Sequence, residues 1–160
     1  MKITREKLAY VWRLIDRLSV EKTNVKFHYL LHKNKRLIEP EIRALEEAQK
    51  LPPEHQIFEE KRLTLCKEYC ERDESGTPKE DENRNFIIPE DIKPEFETKM
   101  AGLKDEYKEM LEMVTDNRKQ FLMLLKEDVD INFAPIPLSV MPATLLGTDI
   151  DLLYEFIVED

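Results

Sequence analysis

Glycine is scarce in this chain, and its scarcity argues against a sheet-rich fold. Only three of the 160 residues are glycine, at positions 76, 102 and 147. A β-rich domain of this length needs many tight turns, and those turns usually need glycine. The sequence therefore predicts a mainly α-helical fold, formed by a single domain (1–160) because the length suits one hydrophobic core.

Cysteine and long apolar runs are scarce as well. The two cysteines, Cys66 and Cys70, lie in one helical segment, unlike the disulfide framework of a small secreted domain. No segment approaches the roughly 20 apolar residues that cross a bilayer, and the first residues lack the apolar core of a signal peptide. We therefore expect a soluble, intracellular protein that does not associate with a membrane.

Charge, by contrast, is abundant and unevenly placed. Charged residues make up 37% of the chain, and the net charge is −9. Residues 1–50 have 12 Lys/Arg against 7 Asp/Glu, a net +5, whereas residues 51–160 have 13 against 27, a net −14. The overall acidity disfavours nonspecific binding to nucleic acid. The opposite signs favour either closure of the chain on itself or head-to-tail ordering of neighbouring subunits.

Apolar residues that recur every three or four positions predict three helices within residues 1–72. The first helix begins after Thr4, a suitable N-cap. The second begins near Val25 and is either kinked at Pro40 or replaced there by two abutting helices, because proline cannot donate a backbone hydrogen bond. The third begins at Pro53, which is suited to the first position of a helix.

Residues 73–93 predict a loop and a short strand. Gly76 lies among turn-forming residues and can take a positive φ. Residues 79–85 are charged and lack apolar side chains, which predicts a mobile loop tip. The apolar run 86–88 then predicts a short strand or an extended clip. The chain as a whole shows no internal repeat and no low-complexity segment.

The clearest helical pattern runs from 94 to 126. Its apolar residues are spaced 4, 3, 4, 3 and 4 apart, a heptad pattern typical of coiled coils, which is lost around 115–119 and then resumes. A continuous helix of this length is about 50 Å long, which predicts an elongated molecule. This seam could pack within the chain or between copies of it. Its residues are Phe96, Met100, Leu103, Tyr107, Met110, Val114, Phe121 and Leu125.

Residues 127–160 predict a small strand-and-helix cap. Apolar and polar residues alternate over 129–134, and prolines confine 136–141 to edge or extended geometry. Thr148 and Asp151 resemble a capping box for a short final helix. The predicted fold is thus mainly α, an elongated antiparallel helical hairpin or bundle with a C-terminal cap.

Few side chains are arranged for catalysis or metal binding. His28 and His32 could share one helical face, but no third ligand accompanies them, and we interpret them as surface or half-buried histidines. Cys66 and Cys70 are interpreted as small buried residues. The carboxylates lie in charged runs, and the sequence has neither a Gly-rich phosphate loop nor a nucleophile elbow. We therefore predict no enzyme activity, no catalytic residue, no cofactor and no bound metal.

One basic cluster on the second helix is the candidate partner-binding surface. It could hold phosphates or an acidic partner. Alternatively, and more simply, it is a solvated face that pairs with the acidic third or fourth helix. The residues of this predicted face are Lys26, His32, Lys33, Lys35, Arg36 and Arg43.

The order of these features resembles that of small helical proteins of unknown function encoded by tailed bacteriophages or prophages. The resemblance covers nearly the whole chain and implies a phage or prophage setting in a bacterial cell, with no catalytic residues. It rests on the opening Lys2-Ile3-Thr4, on Lys26-Phe27 followed by Leu31-His32-Lys33-Asn34-Lys35, on Tyr69 followed by Asp73-Glu74-Ser75-Gly76, on Phe86-Ile87-Ile88-Pro89, and on the long helix and closing cap.

Three functions fit these features. The first is a non-enzymatic phage interaction protein that oligomerises as a virion or assembly component. The second is a phage accessory factor that binds and inhibits a host defence protein, whose basic groove the acidic surface could occupy. The third is a nucleic-acid-binding module that uses the basic face 26–43. The first two imply a protein partner, either a second copy or another phage or host protein, and a location in the bacterial cytoplasm or the virion.

Overall fold

A computed structural model describes residues 1–159 and confirms the mainly α-helical fold. None of the helices over this range combines the length and apolar character needed to span a bilayer. Short 3-10 turns follow β3 and α6. In chain order the elements are β1 (Lys2–Thr4), α1 (Arg5–Leu18), α2 (Val25–Ala48), α3 (Pro53–Tyr69), α4 (Lys93–Glu106), α5 (Lys108–Leu124), β2 (Asp128–Asp130), β3 (Ile136–Pro137), α6 (Gly147–Leu153) and β4 (Ile157–Val158).

The chain divides into two compact units, where the sequence predicts one domain. We call residues 1–50 with 118–159 the core unit and residues 51–117 the hairpin unit. Over the described range, sixteen apolar side chains are buried in the core unit and only three in the hairpin unit. The hydrophobic core of the protein therefore belongs almost entirely to one unit.

α1 and α2 of the core unit each begin directly after a side-chain cap. The Thr4 hydroxyl accepts a hydrogen bond from the backbone N–H of Lys7 at 3.2 Å, and the Asn24 side chain accepts one from Lys26 at 2.8 Å. Each cap satisfies a backbone donor that has no partner inside the helix. α1 packs against α2 through apolar residues spaced three or four apart, which form the centre of the core.

α2 is one continuous helix that runs through Pro40, so the alternative of two abutting helices is wrong. Pro40 is exposed, whereas Ile38 and Ile42 on either side of it are buried. The backbone that lacks its hydrogen bond therefore lies toward water, where the loss is least costly. The buried face continues past the proline without a change of register.

The C-terminal cap joins the N-terminus through an antiparallel pair of strands. β1 pairs with β2 in the register Ile3↔Val129. The strand predicted over 129–134 is shorter than expected, and its partner β1 was not predicted as a strand. A second, parallel pair joins β3 to β4 with Ile136 opposite Ile157.

The cap of α6 is also different from the predicted one. The Asp149 carboxylate, rather than that of Asp151, accepts a hydrogen bond from the backbone N–H of Leu146 at 3.1 Å. Asp149 is buried and forms an ion pair with Arg17 of α1. The long-range ion pair therefore coincides with a helix start two residues earlier than the Thr148–Asp151 pattern predicts.

In the hairpin unit α3 and α4 run antiparallel, as the contacts at their two ends show. Phe58 near the start of α3 meets Tyr107, and Tyr69 at its end meets Phe96 near the start of α4. The predicted uninterrupted helix over 94–126 is wrong at Tyr107, which has φ −108° and ψ 18° and separates α4 from α5. The break coincides with the contacts that hold the Tyr107 ring.

The loop between α3 and α4 contains two equivalent hydrogen-bonded turns, a repeat that the sequence did not predict. Asp73 and Asp81, eight residues apart, each accept hydrogen bonds from the backbone N–H groups two and four residues later, at 2.8–2.9 Å. Gly76 and Arg84 take positive φ at equivalent positions. We call residues 71–91, which carry these two turns, the double loop. The predicted mobile tip over 79–85 is thus a hydrogen-bonded turn.

Three further hydrogen bonds close the double loop. Glu71 N–H donates to the Ile87 carbonyl, Lys79 N–H to the Glu71 carbonyl and Ile87 N–H to the Lys79 carbonyl, at 2.8–3.1 Å. These positions are also eight residues apart, so the three backbone segments form a closed ring of bonds. The ring and the two turns hold the acidic side chains of the loop on an ordered backbone.

Candidate functional site

The basic side of α2 is the first candidate for a binding surface. Lys26, His32, Lys33 and Arg36 have no hydrogen-bond, ion-pair or ring partner for their side chains among residues 1–159. At 3.6 residues per turn they project from the side opposite the buried stripe. Residues 22–38 contain no Asp or Glu, so no acidic side chain of this segment neutralises them.

Two members of the predicted basic face do have internal partners. Lys35 forms an ion pair with Asp16 of α1, and its ammonium lies 4.6 Å from the centroid of the Trp12 ring. Arg43 pairs with Glu39 one turn earlier, at 2.6 Å. Both pairs lie within the core unit, so the predicted pairing with the third or fourth helix is wrong for these two residues.

Tyr29 lies in the middle of the unpaired cations and leaves 65% of its surface exposed. It therefore adds an aromatic ring that can pack against a partner while its hydroxyl stays in water. We define the α2 basic face as Lys26, Tyr29, His32, Lys33 and Arg36. It covers about a third of the helix circumference and extends about 15 Å along the axis.

Asn34 lies within the basic cluster in the sequence, but its side chain points into the core and so fixes which side of α2 faces the solvent. Its side chain is 1% exposed, and its amide forms two hydrogen bonds with the backbone of Ala134. Asn34 Nδ2 donates to the Ala134 carbonyl at 2.9 Å, and its Oδ1 accepts from the Ala134 N–H at 2.7 Å. The pair joins α2 to the extended segment before β3 and satisfies both buried polar groups.

The predicted seam is the second candidate surface, and part of it packs against α3 of the same chain. The rings of Tyr107 and Phe58 lie 5.6 Å apart, and those of Phe96 and Tyr69 lie 5.9 Å apart. Lys61 of α3 pairs with Glu106 at 2.7 Å, and this hydrogen bond is the main reason that the pKa of Lys61 is raised. These contacts connect both ends of α3 to α4.

The seam is nevertheless incompletely covered in one chain. All eight of its residues are half-buried, and none is fully buried. Only Phe58, Cys66 and Cys70 are buried in the hairpin unit, whereas Ile57, Leu63 and Met113 are exposed. A two-helix hairpin has no further layer to cover its remaining apolar sides. The hairpin therefore presents apolar surface that a further helical layer can bury.

Phe121 and Leu125 belong to a different environment from the rest of the seam. They line a groove of about 330 Å³ in the core unit, together with Trp12 of α1 and Ile42 of α2. The lining of the groove also includes Glu6, Arg13 and Glu46 of the same unit. The heptad pattern over 94–126 thus combines two surfaces rather than one continuous coiled-coil seam.

The histidines and cysteines considered as metal or redox candidates do not form a shared site among residues 1–159. The His28 ring lies 2.9 Å from the Glu21 carbonyl, and His32 is exposed. Over residues 1–159 no three His, Cys, Asp or Glu side chains are close enough to hold a metal ion. Cys66 and Cys70 are free and buried, as their helical spacing predicts, and burial raises the pKa of the Cys66 thiol.

Comparison with known proteins identifies no matching family model, no similar curated protein and no similar solved structure.

Proposed function

We propose that this chain is a non-enzymatic interaction protein of a tailed bacteriophage or prophage that assembles with copies of itself through the hairpin unit. The observation that carries the proposal is the contrast between the two cores, with three buried apolar side chains in residues 51–117 against sixteen elsewhere in the described range. The sequence resemblance to small phage proteins supports the setting, in the host cytoplasm or the virion.

Self-association supplies the layer that the hairpin lacks. Two antiparallel hairpins can form a four-helix bundle in which each covers the half-buried seam residues of the other. Burial of apolar surface contributes about 25 cal/mol per Å², so partly exposed residues such as Leu103 and Met110 provide the driving force. A symmetric contact of this kind uses the same patch on both copies.

Charge favours one orientation of the two hairpins. The double loop has eight Asp/Glu against three Lys/Arg, a net −5, whereas residues 51–70 have a net −1 (three Lys/Arg, four Asp/Glu). An antiparallel arrangement of two hairpins places the two acidic loops at opposite ends of the bundle, which limits their repulsion. The apolar seam can then associate without a large electrostatic cost.

Native mass measured over a range of concentrations tests this proposal. We expect the wild-type chain to form dimers or larger species, and Leu103→Glu to shift the population to monomer because it introduces a charge into the seam. Ala101→Glu is the matched control, since Ala101 is exposed on the opposite side of α4 and should leave the mass unchanged. Circular dichroism checks that both variants stay helical. A wild-type chain that is monomeric at every concentration overturns the proposal.

A second function is favoured by the location of the negative charge. Residues 51–117 have 19 Asp/Glu against 10 Lys/Arg, a net −9, whereas the remainder of the chain has 15 of each and is neutral. A concentrated acidic surface of this kind fits the basic groove of a host protein that binds nucleic acid. A monomeric chain that captures such a host protein would favour this inhibitor function over assembly.

A further inference from the structure

The α2 basic face and the acidic double loop of the same chain carry opposite charges. Four of the five residues of the basic face are Lys, Arg or His, and none of these four has an ion-pair partner in the described part of the chain. The core unit that carries the face is nearly neutral as a whole, with 15 Lys/Arg and 14 Asp/Glu, a net +1. The positive potential is therefore a local feature of one helix side and not a general property of the unit.

The double loop has the opposite character. Its exposed carboxylates Glu74, Glu80 and Glu82 form no hydrogen bond or ion pair among residues 1–159, whereas Glu71 pairs with Lys79 at 3.3 Å. Glu74 and Glu82 occupy equivalent positions of the eight-residue repeat, each directly after the aspartate that stabilises its turn. The repeat therefore presents two free carboxylates on a hydrogen-bonded backbone.

Both surfaces are preorganised, which lowers the entropy lost on binding. The α2 basic face lies on a continuous helix whose rotation is set by the two Asn34–Ala134 hydrogen bonds. The double loop is held by the Asp73 and Asp81 turns and by the ring of backbone bonds. Two rigid surfaces of opposite charge can form several ion pairs at once without ordering long mobile segments.

We propose that the α2 basic face of one copy binds the acidic double loop of a second copy, in a head-to-tail contact. This inference rests on the proposed self-association and adds to the apolar hairpin contact a second contact of a different kind. The hairpin contact is symmetric and closes on itself, whereas a head-to-tail contact leaves a free face on each copy and allows further growth. Both kinds together build assemblies larger than a dimer.

A second copy is favoured over nucleic acid as the occupant of the basic face. The chain has a net charge of −9, so a polyanion is repelled by the protein as a whole, and the face provides at most four cations. A second copy also carries a net charge of −9, but its double loop places unpaired carboxylates directly against the cations, and salt screens the longer-range repulsion between the two chains more than the short-range ion pairs. The head-to-tail arrangement thus brings together two surfaces of opposite charge that each include charged side chains without partners among residues 1–159.

Charge reversal on each surface separately tests the contact. We expect wild-type protein at about 50 mM salt to form species larger than a dimer, and at about 500 mM salt to return to the dimer because screening weakens exposed pairs. Lys33→Glu with Arg36→Glu should weaken the larger species at least about tenfold, and Glu74→Lys with Glu82→Lys should do the same. Mixing the two variants should restore a mixed complex, since each carries the surface that fits the other.

The control is Arg13→Glu with Lys126→Glu, which makes the same change of charge at exposed positions outside both surfaces. It should leave the larger species intact. A wild-type dimer that is unaffected by salt overturns the head-to-tail contact but leaves the hairpin contact standing, whereas a monomer at both salt concentrations overturns both. Failure of the two mixed variants to associate also overturns the inference, as does binding of a labelled DNA duplex that the Lys33→Glu, Arg36→Glu variant loses.

Discussion

At the scale of single residues, Asn34 is the position where packing and surface are connected. It lies between cations in the sequence, yet its side chain is buried and bonds both polar groups of the Ala134 backbone. Burying an amide costs little free energy when both of its hydrogen bonds are formed, whereas burying polar groups without partners destabilises the folded state. The basic face therefore depends on a polar residue that does not belong to it.

We expect Asn34→Ala to destabilise the protein by about 2–4 kcal/mol, because it leaves the Ala134 N–H and carbonyl unpaired and creates a small cavity. Urea unfolding measures the change. Lys33→Ala is the control, since Lys33 is exposed and unpaired and its replacement should change stability by less than about 0.5 kcal/mol. Equal effects of the two substitutions would show that the Asn34 bonds do not stabilise the core.

At the scale of elements, the double loop depends on two ionised carboxylates. The pKa of Asp73 is lowered first by the Ser75 hydroxyl and then by the Thr77 N–H, and the pKa of Asp81 is lowered by the backbone and side chain of Asn85. Because both values lie below the usual 3.8, the ionised form stabilises the folded loop. That stabilisation is complete above about pH 4 and is lost as the pH falls through the folded pKa values.

We therefore expect the amide signals of Thr77 and Asn85 in NMR spectra to move together with titration midpoints below 3.8. Asp73→Asn should abolish the response of Thr77 and spare that of Asn85, because each turn has its own carboxylate. Asp81→Asn should do the reverse, so each variant is the control for the other. Midpoints at or above the usual value would contradict the assigned hydrogen bonds.

At the scale of the whole molecule, stability should be unevenly distributed. The core unit contains most of the buried apolar side chains, whereas the hairpin unit contains three over the described residues. Segments with few buried apolar contacts open at lower free energy than segments in the core. The two units should therefore differ in the protection of their backbone amides.

Hydrogen exchange measures this difference. At concentrations where the chain is monomeric, amides in the middle of α3 and α4 should exchange at least about tenfold faster than those around Leu31 and Ile38 of α2. Raising the concentration should protect the hairpin amides selectively, since association adds a layer to the seam. Uniform rates at every concentration would show that the hairpin is as stable alone as the core unit.

Much of the helical architecture could be predicted because its signals are local. Thr4 and Pro53 mark helix starts through their own backbone and side-chain chemistry, and both are confirmed. The spacing of apolar residues identified the buried faces of α1 and α2 and the burial of Cys66 and Cys70. Gly76 takes the positive φ that its turn predicts. Each of these features depends on neighbours within about one or two helical turns.

The remaining features depend on contacts between distant parts of the chain. β1 is a strand because residues 2–4 pair with β2, which lies more than 120 positions later in the chain. Asn34 is buried where its side chain bonds the backbone of Ala134, 100 residues away. The break at Tyr107 accompanies ring contacts with another helix, and the double loop repeats its hydrogen bonds although Gly76 and Arg84 differ. The residues next to each of these positions in the sequence do not predict such distant partners.

The sequence by itself thus determined a mainly α fold, the starts of the first three helices and the uneven charge, because backbone propensity, capping and apolar period act over a few residues. Only the tertiary structure decided that Lys35 and Arg43 are paired while Lys26, Lys33 and Arg36 remain free among the described residues, and that the seam stays half-buried. Whether a side chain is free or paired depends on which distant groups the fold brings within hydrogen-bonding distance.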